Sequence, residues 1–210
     1  MRRYSPSTMK TSTLALLCGV AALALAALIA ISLAAAHNGG SSAKTPKGAF
    51  DGALMPPGAR APDFALRDQD GRLVRMSSFR GRPVIVTFLY AKCTGSCPAQ
   101  AQQIKGAEDD LGHDLPAIAI SVDPANDTPR EARHFLAVQG MSTRIRFLLG
   151  TKRELEPVWK GFAIAPQRPG HEHQSWLTLV DRRGMQRVGY PGAEVTPERL
   201  AHDLRLLENQ

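Results

Sequence analysis

The stretch from Pro83 to Gln100, PVIVTFLYAKCTGSCPAQ, holds the pattern around which the rest of the chain is arranged. Its hydrophobic, β-branched run at 84–90 predicts a buried strand, and Pro98 predicts the first turn of a helix. Between the two lie Cys93 and Cys97, which are four residues apart and therefore share one face of the helix start. Unpaired backbone N–H groups and the helix dipole favour thiolate over thiol there. The two sulfurs can therefore close a disulfide or bind one soft metal ion together.

The beginning of the chain predicts a membrane anchor. No charged residue occurs at 14–36, and at about 1.5 Å per residue this apolar run makes a helix that can cross a hydrocarbon core of about 30 Å. Basic residues precede the run, so the positive-inside rule keeps residues 1–13 in the cytoplasm and sends the rest across. A cleaved signal peptide is the alternative, because Ala34–Ala36 offers small residues for cleavage. We expect a bacterial inner-membrane protein with one span and a soluble domain in the periplasm.

Charge and cysteine content exclude two classes of protein. The chain of 210 residues has a formal net charge of +7, but its basic residues are scattered and no nucleic-acid motif is present. This argues against a nucleic-acid partner. A basic face that suits anionic lipid or an acidic protein is compatible with the charge, although a solvated surface is the simpler interpretation. Only two cysteines lie outside the predicted span, so the chain is not a disulfide-stapled scaffold.

The remaining sequence divides into a tether and one domain. Residues 37–60 are rich in Gly, Ser, Pro and Lys without periodicity, which is typical of a flexible tether. Residues 61–210 open with a hairpin around Gln69-Asp-Gly, then alternate strands and helices, and close with a second hairpin and a helix. Such alternation predicts an α/β sandwich with a mixed central sheet. Because the thiols occupy the first strand-to-helix turn, we expect a thioredoxin-like fold.

Four stretches of this chain together resemble the Sco/SenC proteins, which are membrane-tethered, thioredoxin-fold copper chaperones of cytochrome c oxidase assembly. They are APDFALRDQDG from Ala61, Cys93-Thr-Gly-Ser-Cys97-Pro98, SVDPANDTP from Ser121, and His173 placed eight residues before Asp181. The first stretch is weak evidence, because peroxiredoxins share it. The combination of cysteine spacing, SVDP segment and placed histidine is specific to the family.

The resemblance implies that Cys93, Cys97 and His173 bind copper, as Cu(I) or Cu(II), and that the protein delivers it to the binuclear copper site of an oxidase subunit. The implied partners are that subunit, other periplasmic copper chaperones and thiol reductants. Two thiolates and one imidazole form a soft site that suits Cu(I). The chain departs from many relatives at Thr94, where they have proline, and at Glu172, where aspartate is common. His171 is an alternate or auxiliary donor.

Other functions remain open at this point. In a thiol-disulfide oxidoreductase without a metal, Cys93 attacks and Cys97 resolves. The three-residue spacer counts against this, since redox thioredoxins have two, but both roles can coexist because a disulfide cannot bind copper. A peroxidase is less compatible, since the turn before Cys93 lacks the expected threonine and proline. A purely structural disulfide would close too small a loop to stabilise the fold much. Asp123 either orients the site or serves as a plain turn residue.

Overall fold

The structure is a computed structural model that describes residues 49–168 and 175–210. Its sheet contains β1 (Ala53–Leu54), β2 (Ala65–Asp68), β3 (Leu73–Arg75), β4 (Val84–Leu89), β5 (Ala117–Ser121), β6 (Ile145–Leu149), β7 (Trp176–Val180) and β8 (Gln186–Pro191). Its helices are α1 (Ser96–Leu111), α2 (Pro129–Val138), α3 (Lys152–Gly161) and α4 (Pro197–Glu208), with 3-10 turns at Met76–Phe79 and Gly192–Glu194. The compact unit that holds these elements runs from Thr45 to Gln210.

The eight strands form one mixed sheet in the order β1-β8-β7-β4-β5-β6-β2-β3. The three central strands β4, β5 and β6 are parallel, and every other pair is antiparallel. β2 and β3 form the predicted hairpin, with Leu66 opposite Val74. The prediction of an α/β fold with a mixed sheet and an N-terminal hairpin is confirmed.

Local sequence signals set where the helices begin. Pro129 is the first residue of α2, and Thr128 accepts a hydrogen bond from the backbone N–H of Glu131 at 3.2 Å. At α3, Thr151 and Glu154 satisfy each other's backbone N–H groups in a capping box. Such caps replace hydrogen bonds that the first turn of a helix lacks. The helices therefore start where these short motifs predict.

The sheet separates two hydrophobic cores, because successive side chains of a strand point to opposite faces. In β5, Ala117 and Ala119 belong to the core beneath α1, α2 and α4. Ile118 and Ile120 belong to the opposite core, which is completed by α3 and the first 3-10 turn. β4 is buried along its whole length, so it is fixed from both sides. Its C-terminal end is therefore a rigid base for the thiol turn that follows.

The folded part begins before residue 61, where the sequence analysis placed its start. β1 pairs with β8, and the carboxylate of Asp203 in α4 accepts hydrogen bonds from the N–H groups of Asp51 (2.8 Å) and Gly52 (3.0 Å). The Tyr190 hydroxyl donates to the same buried carboxylate at 2.5 Å. Residues 49–60 are thus bound to the sheet and to α4. The composition of residues 37–60 did not indicate this attachment, because the carboxylate that holds the segment lies about 150 residues later in the chain.

The predicted cytoplasmic segment (1–13), the predicted span (14–36) and the first part of the tether lie outside the described residues. Across residues 49–168 and 175–210, none of the helices is both long enough and apolar enough to cross a membrane.

Candidate metal centre

The thiol turn connects the end of β4 to the first turn of α1. The backbone N–H of Cys93 donates to the carbonyl of Tyr90 at 3.1 Å, which closes the turn. Gly95 precedes α1 and offers no side-chain cap. Instead, the sulfur of Cys93 accepts the backbone N–H of Cys97 at 3.4 Å. The sulfur of Cys93 therefore caps the first turn of α1 and also shares a hydrogen bond with the Cys97 side chain.

Both cysteines are free and buried, but their protonation differs. Cys93 retains 7% of its accessible surface and Cys97 none. The hydrogen bond from the Cys97 side chain, helped by backbone N–H groups and Tyr90, lowers the pKa of Cys93 to about 6. That same hydrogen bond, together with burial, raises the pKa of Cys97. At neutral pH the pair therefore consists of a thiolate at Cys93 and a thiol at Cys97.

A partly buried acid next to the thiol turn, Asp127, was not identified from the sequence. Asp127, in the loop between β5 and α2, accepts the backbone N–H of Ala91 at 2.7 Å and the hydroxyl of Ser121 at 2.5 Å. Burial raises the pKa of Asp127 to about 6, and its charge adds to the rise in the pKa of Cys97. Asp127 therefore fixes the thiol turn to the neighbouring strand and acts electrostatically on the buried thiol.

Asp123, the acid that the sequence analysis considered, has a different place. Its two carboxylate oxygens accept hydrogen bonds from the side-chain amide of Asn126 at 3.1 and 2.9 Å. Asp123 thus stabilises its own loop. Of the two roles predicted for it, this agrees with that of a turn residue. A sequence signal for Asp127 did exist, because it too follows β5, and the ends of parallel strands meet at one edge of a sheet.

The described residues on either side of the two predicted histidines lie at the same end of the sheet as the thiols. β7 runs antiparallel to β4, with Leu177 opposite Thr87, so the start of β7 lies beside the end of β4. On the other flank, the N–H of Gln167 donates to the carbonyl of Val122, just beyond β5, at 2.9 Å. The two predicted donors, His171 and His173, lie outside the described residues. Their approach to the sulfurs stays a prediction.

This arrangement can carry out two kinds of chemistry. Two sulfurs that share a hydrogen bond, one of them already a thiolate, form part of a low-coordination site for a soft ion such as Cu(I). The same pair can exchange with a disulfide, since the thiolate is the attacking form. Another histidine, His113, follows the C-terminal end of α1 and contacts Glu208 of α4 at 2.8 Å.

Comparison with known proteins agrees with this geometry. Residues 54–208 match the family model described as SCO1/SenC. The SCO1 protein homolog of Bacillus subtilis is 31% identical over 144 residues, which cover 64% of this chain and 75% of that protein.

Two solved structures show the same fold. Bradyrhizobium japonicum ScoI with copper bound has a TM-score of 0.60 and 29% identity, covering 71% of this chain and 99% of that one. BsSco, described as a member of the Sco family of cytochrome c oxidase assembly proteins with a disulfide switch, has a TM-score of 0.64 and 25% identity, covering 75% and 96%. The prediction of a thioredoxin-like domain is confirmed, and the chain belongs to the SCO1/SenC family.

Proposed function

We propose that this protein is a membrane-tethered periplasmic chaperone that binds copper and delivers it to the binuclear copper site of cytochrome c oxidase. The observation that carries the proposal is the pairing of a Cys93 thiolate with the Cys97 thiol at the start of α1. It is supported by a similar protein that holds copper, Bradyrhizobium japonicum ScoI. A second relative is described as one of the oxidase assembly proteins.

In the proposed site Cys93, Cys97 and His173 are the ligands. Copper takes the place of the proton on Cys97, because a coordinated thiol is deprotonated. The two sulfurs belong to the turn after β4 and the first turn of α1, whereas the histidine belongs to a separate part of the chain, between α3 and β7. Ligands from two segments allow the ion to be transferred in steps, one donor at a time. His171 is the alternate donor.

The proposed location follows from the sequence. The uncharged run at 14–36 spans the bacterial inner membrane, residues 1–13 stay in the cytoplasm, and the domain faces the periplasm. An alkaline phosphatase fusion placed after residue 48 tests this. Activity in intact cells is expected, and an inactive fusion would refute the orientation.

A second function, thiol-disulfide exchange, is favoured by the low pKa of Cys93. The Cys93 thiolate attacks a disulfide of the copper-receiving subunit and releases one cysteine as thiolate. Cys97 then loses its proton and attacks Cys93, releasing the second cysteine and leaving Cys93–Cys97 oxidised. Two electrons pass to the recipient, and a periplasmic thiol reductant must restore the pair. The exchange prepares the recipient's cysteines to take copper.

Anaerobic Cu(I) titration of the fragment Thr45–Gln210 tests the ligand set. This fragment is a suitable unit because the compact part of the chain starts at Thr45, and the similar solved chains consist almost wholly of this domain. With a chromophoric chelator as competitor, we expect one Cu(I) per reduced domain. Replacing either cysteine by serine should abolish tight binding.

Histidine variants distinguish the third donor. His173→Ala should weaken binding by an order of magnitude or more, while His113→Ala, an exposed control at a helix end, should change nothing. If His171→Ala weakens binding and His173→Ala does not, His171 is the ligand. Tight binding that survives the loss of both cysteines would refute the proposed function.

A further inference from the structure

A surface at the opposite end of the sheet from the thiols is rich in arginine. It is built around the turn between β7 and β8, where Arg182 accepts the N–H of Gly81 on its carbonyl at 2.9 Å and Gly184 accepts that of Ala61 at 3.0 Å. These contacts unite three segments, 54–61, 80–82 and 181–187, into what we call the basic pole. Its charged members are Arg60, Arg80, Arg82, Arg182, Arg183, Arg187 and Asp181.

The positive charge of the basic pole is poorly balanced. Five of its six arginines are exposed, and Arg187 is half-buried. The one acid, Asp181, is buried and already engaged: it accepts the N–H groups of Arg183 and Met185 and pairs with Arg187 at 3.1 Å. The pole thus carries a net +5. The whole chain after residue 36 carries only +4, since three of its +7 charges precede the apolar run.

Exposed apolar groups adjoin these arginines. Leu54 is 71% exposed, and Pro56 and Pro57 are exposed beside it. A cavity of about 360 Å³ lies between this apolar segment and the guanidinium-bearing side chains of Arg183 and Arg187. A second cavity of about 170 Å³ shares those two arginines on its wall. A guanidinium donates a fork of N–H groups that matches phosphate oxygens, and apolar groups beside it favour the interface of a bilayer.

We propose that the basic pole docks on an anionic lipid bilayer, with its arginines on phosphate headgroups and Leu54 at the level of the interface. This deepens the proposed function and rests on its membrane tether. Residues 37–48 reach at most about 40 Å from a membrane-embedded residue 36, so the segment 54–58 stays within range of the surface. Tethering supplies a high local concentration, and weak binding is then sufficient.

Docking through the basic pole would orient the domain. β4 starts next to Arg82 and ends just before the thiol turn, so its six residues span roughly 20 Å between the two ends of the sheet. With the pole on the lipid, the thiols face away from the bilayer, towards a recipient whose copper site projects from the membrane. An acidic protein is the competing partner for the same arginines, but the bilayer is favoured because the proposed tether keeps this segment within reach of it.

Vesicle sedimentation of the fragment Thr45–Gln210 tests the proposal without the anchor. We expect binding to phosphatidylglycerol vesicles, little binding to pure phosphatidylcholine, and loss of binding as salt rises. The main variant changes Arg60, Arg82 and Arg183 to glutamine. Within the described residues these three side chains make no hydrogen bond, unlike those of Arg80, Arg182 and Arg187. The main variant should lower the partition coefficient ~100-fold.

A matched control changes three exposed arginines elsewhere, Arg75, Arg130 and Arg153, to glutamine. This control has the same net charge as the main variant, but it should bind the vesicles nearly as well as the unmodified fragment. Leu54→Ser should weaken the binding that persists at high salt. If both triple variants lose vesicle binding equally, the binding depends only on net charge and not on the basic pole, and the proposal is overturned. If the fragment does not bind the vesicles but binds polyglutamate, the partner of the basic pole is an acidic protein, and the proposal is again overturned.

The two proposals can fail separately. The triple variant keeps both cysteines and the described contacts around them, so its Cu(I) stoichiometry should equal that of the unmodified fragment, which also verifies that it folds. Normal copper binding with no vesicle binding refutes only the docking surface. Normal vesicle binding with no copper binding refutes only the proposed copper function.

Discussion

Replacement of Cys97 by alanine should raise the pKa of Cys93 markedly. The hydrogen bond from the Cys97 side chain is the largest cause of the low value of about 6, ahead of the backbone N–H groups and Tyr90. Without that donor the pKa moves towards the ~8.5 of an ordinary cysteine. In that limit the thiolate fraction at pH 7 falls from about 90% to about 3%.

The assay must cover a range of pH, because reactivity at one pH conceals the effect. A thiolate of higher pKa is the better nucleophile, and with a Brønsted slope of about 0.4–0.5 the intrinsic rate rises by roughly tenfold. This offsets most of the loss of thiolate, so the rate at pH 7 falls only about threefold. The full profile of alkylation by iodoacetamide, read by mass spectrometry, separates the two effects. We expect a midpoint near pH 6 for the unmodified fragment and one near pH 8 for Cys97→Ala.

Cys97→Ser is the matched control, because its hydroxyl can still donate to the Cys93 sulfur. Its midpoint should lie between those of the other two proteins. If Cys97→Ala retains a midpoint near pH 6, the helix N-terminus and Tyr90 lower the pKa without help from the second thiol, and our account of the pair is wrong. If the unmodified fragment titrates near pH 8.5, Cys93 is an ordinary thiol and the argument for exchange chemistry fails with it.

Two further predictions concern the carboxylates of Asp203 and Asp127. Asp203→Ala leaves two backbone N–H groups without their acceptor and removes the nearer of the two acceptors of the Tyr190 hydroxyl. Urea unfolding should therefore show a loss of about 2–4 kcal/mol, whereas the exposed control Glu156→Ala should change the free energy of unfolding by less than about 0.5 kcal/mol. For Asp127 the folded-state pKa is raised to about 6, so its stabilising contribution is complete below about pH 4 and is lost as the pH rises through 6. The side chain introduced by Asp127→Asn does not titrate. Between pH 4 and pH 7 the free energy of unfolding of this variant should therefore rise by up to roughly 2 kcal/mol relative to that of the unmodified fragment. A difference that is constant across this range contradicts the raised pKa.

Local signals explain what the sequence predicted well. The thiol turn, the helix starts at Thr128 and Thr151 and the hairpin at Gln69 each depend on residues within four positions of one another. Their geometry is set by capping, proline and turn chemistry, which need no distant partner. The alternation of strands and helices, together with the two hairpins, then allows few sheet topologies other than a mixed sheet.

Long-range contacts explain what the sequence analysis missed. β1 is only two residues long and both are exposed, and the chain just before it is held by a carboxylate in α4. Asp123 and Asp127 occupy the same short loop, and only the path of that loop decides that Asp127 meets the N–H of Ala91. Neither composition nor periodicity carries such information. The third copper donor stays a prediction for a different reason, since His171 and His173 lie outside the described residues.

The asymmetry of the two thiols links the two chemistries proposed for this site. With Cys93 already a thiolate at neutral pH, an incoming Cu(I) needs to displace only the proton of Cys97 to gain both sulfurs. In disulfide exchange Cys93 attacks first, and the pair closes only when Cys97 has lost that same proton. Removal of one proton from one buried thiol is therefore the late step of both processes. The hydrogen bond with Cys93 and burial raise the pKa of this thiol, the charge of Asp127 adds to the rise, and Asp127 also positions the turn that carries Cys93, so we expect it to influence both processes.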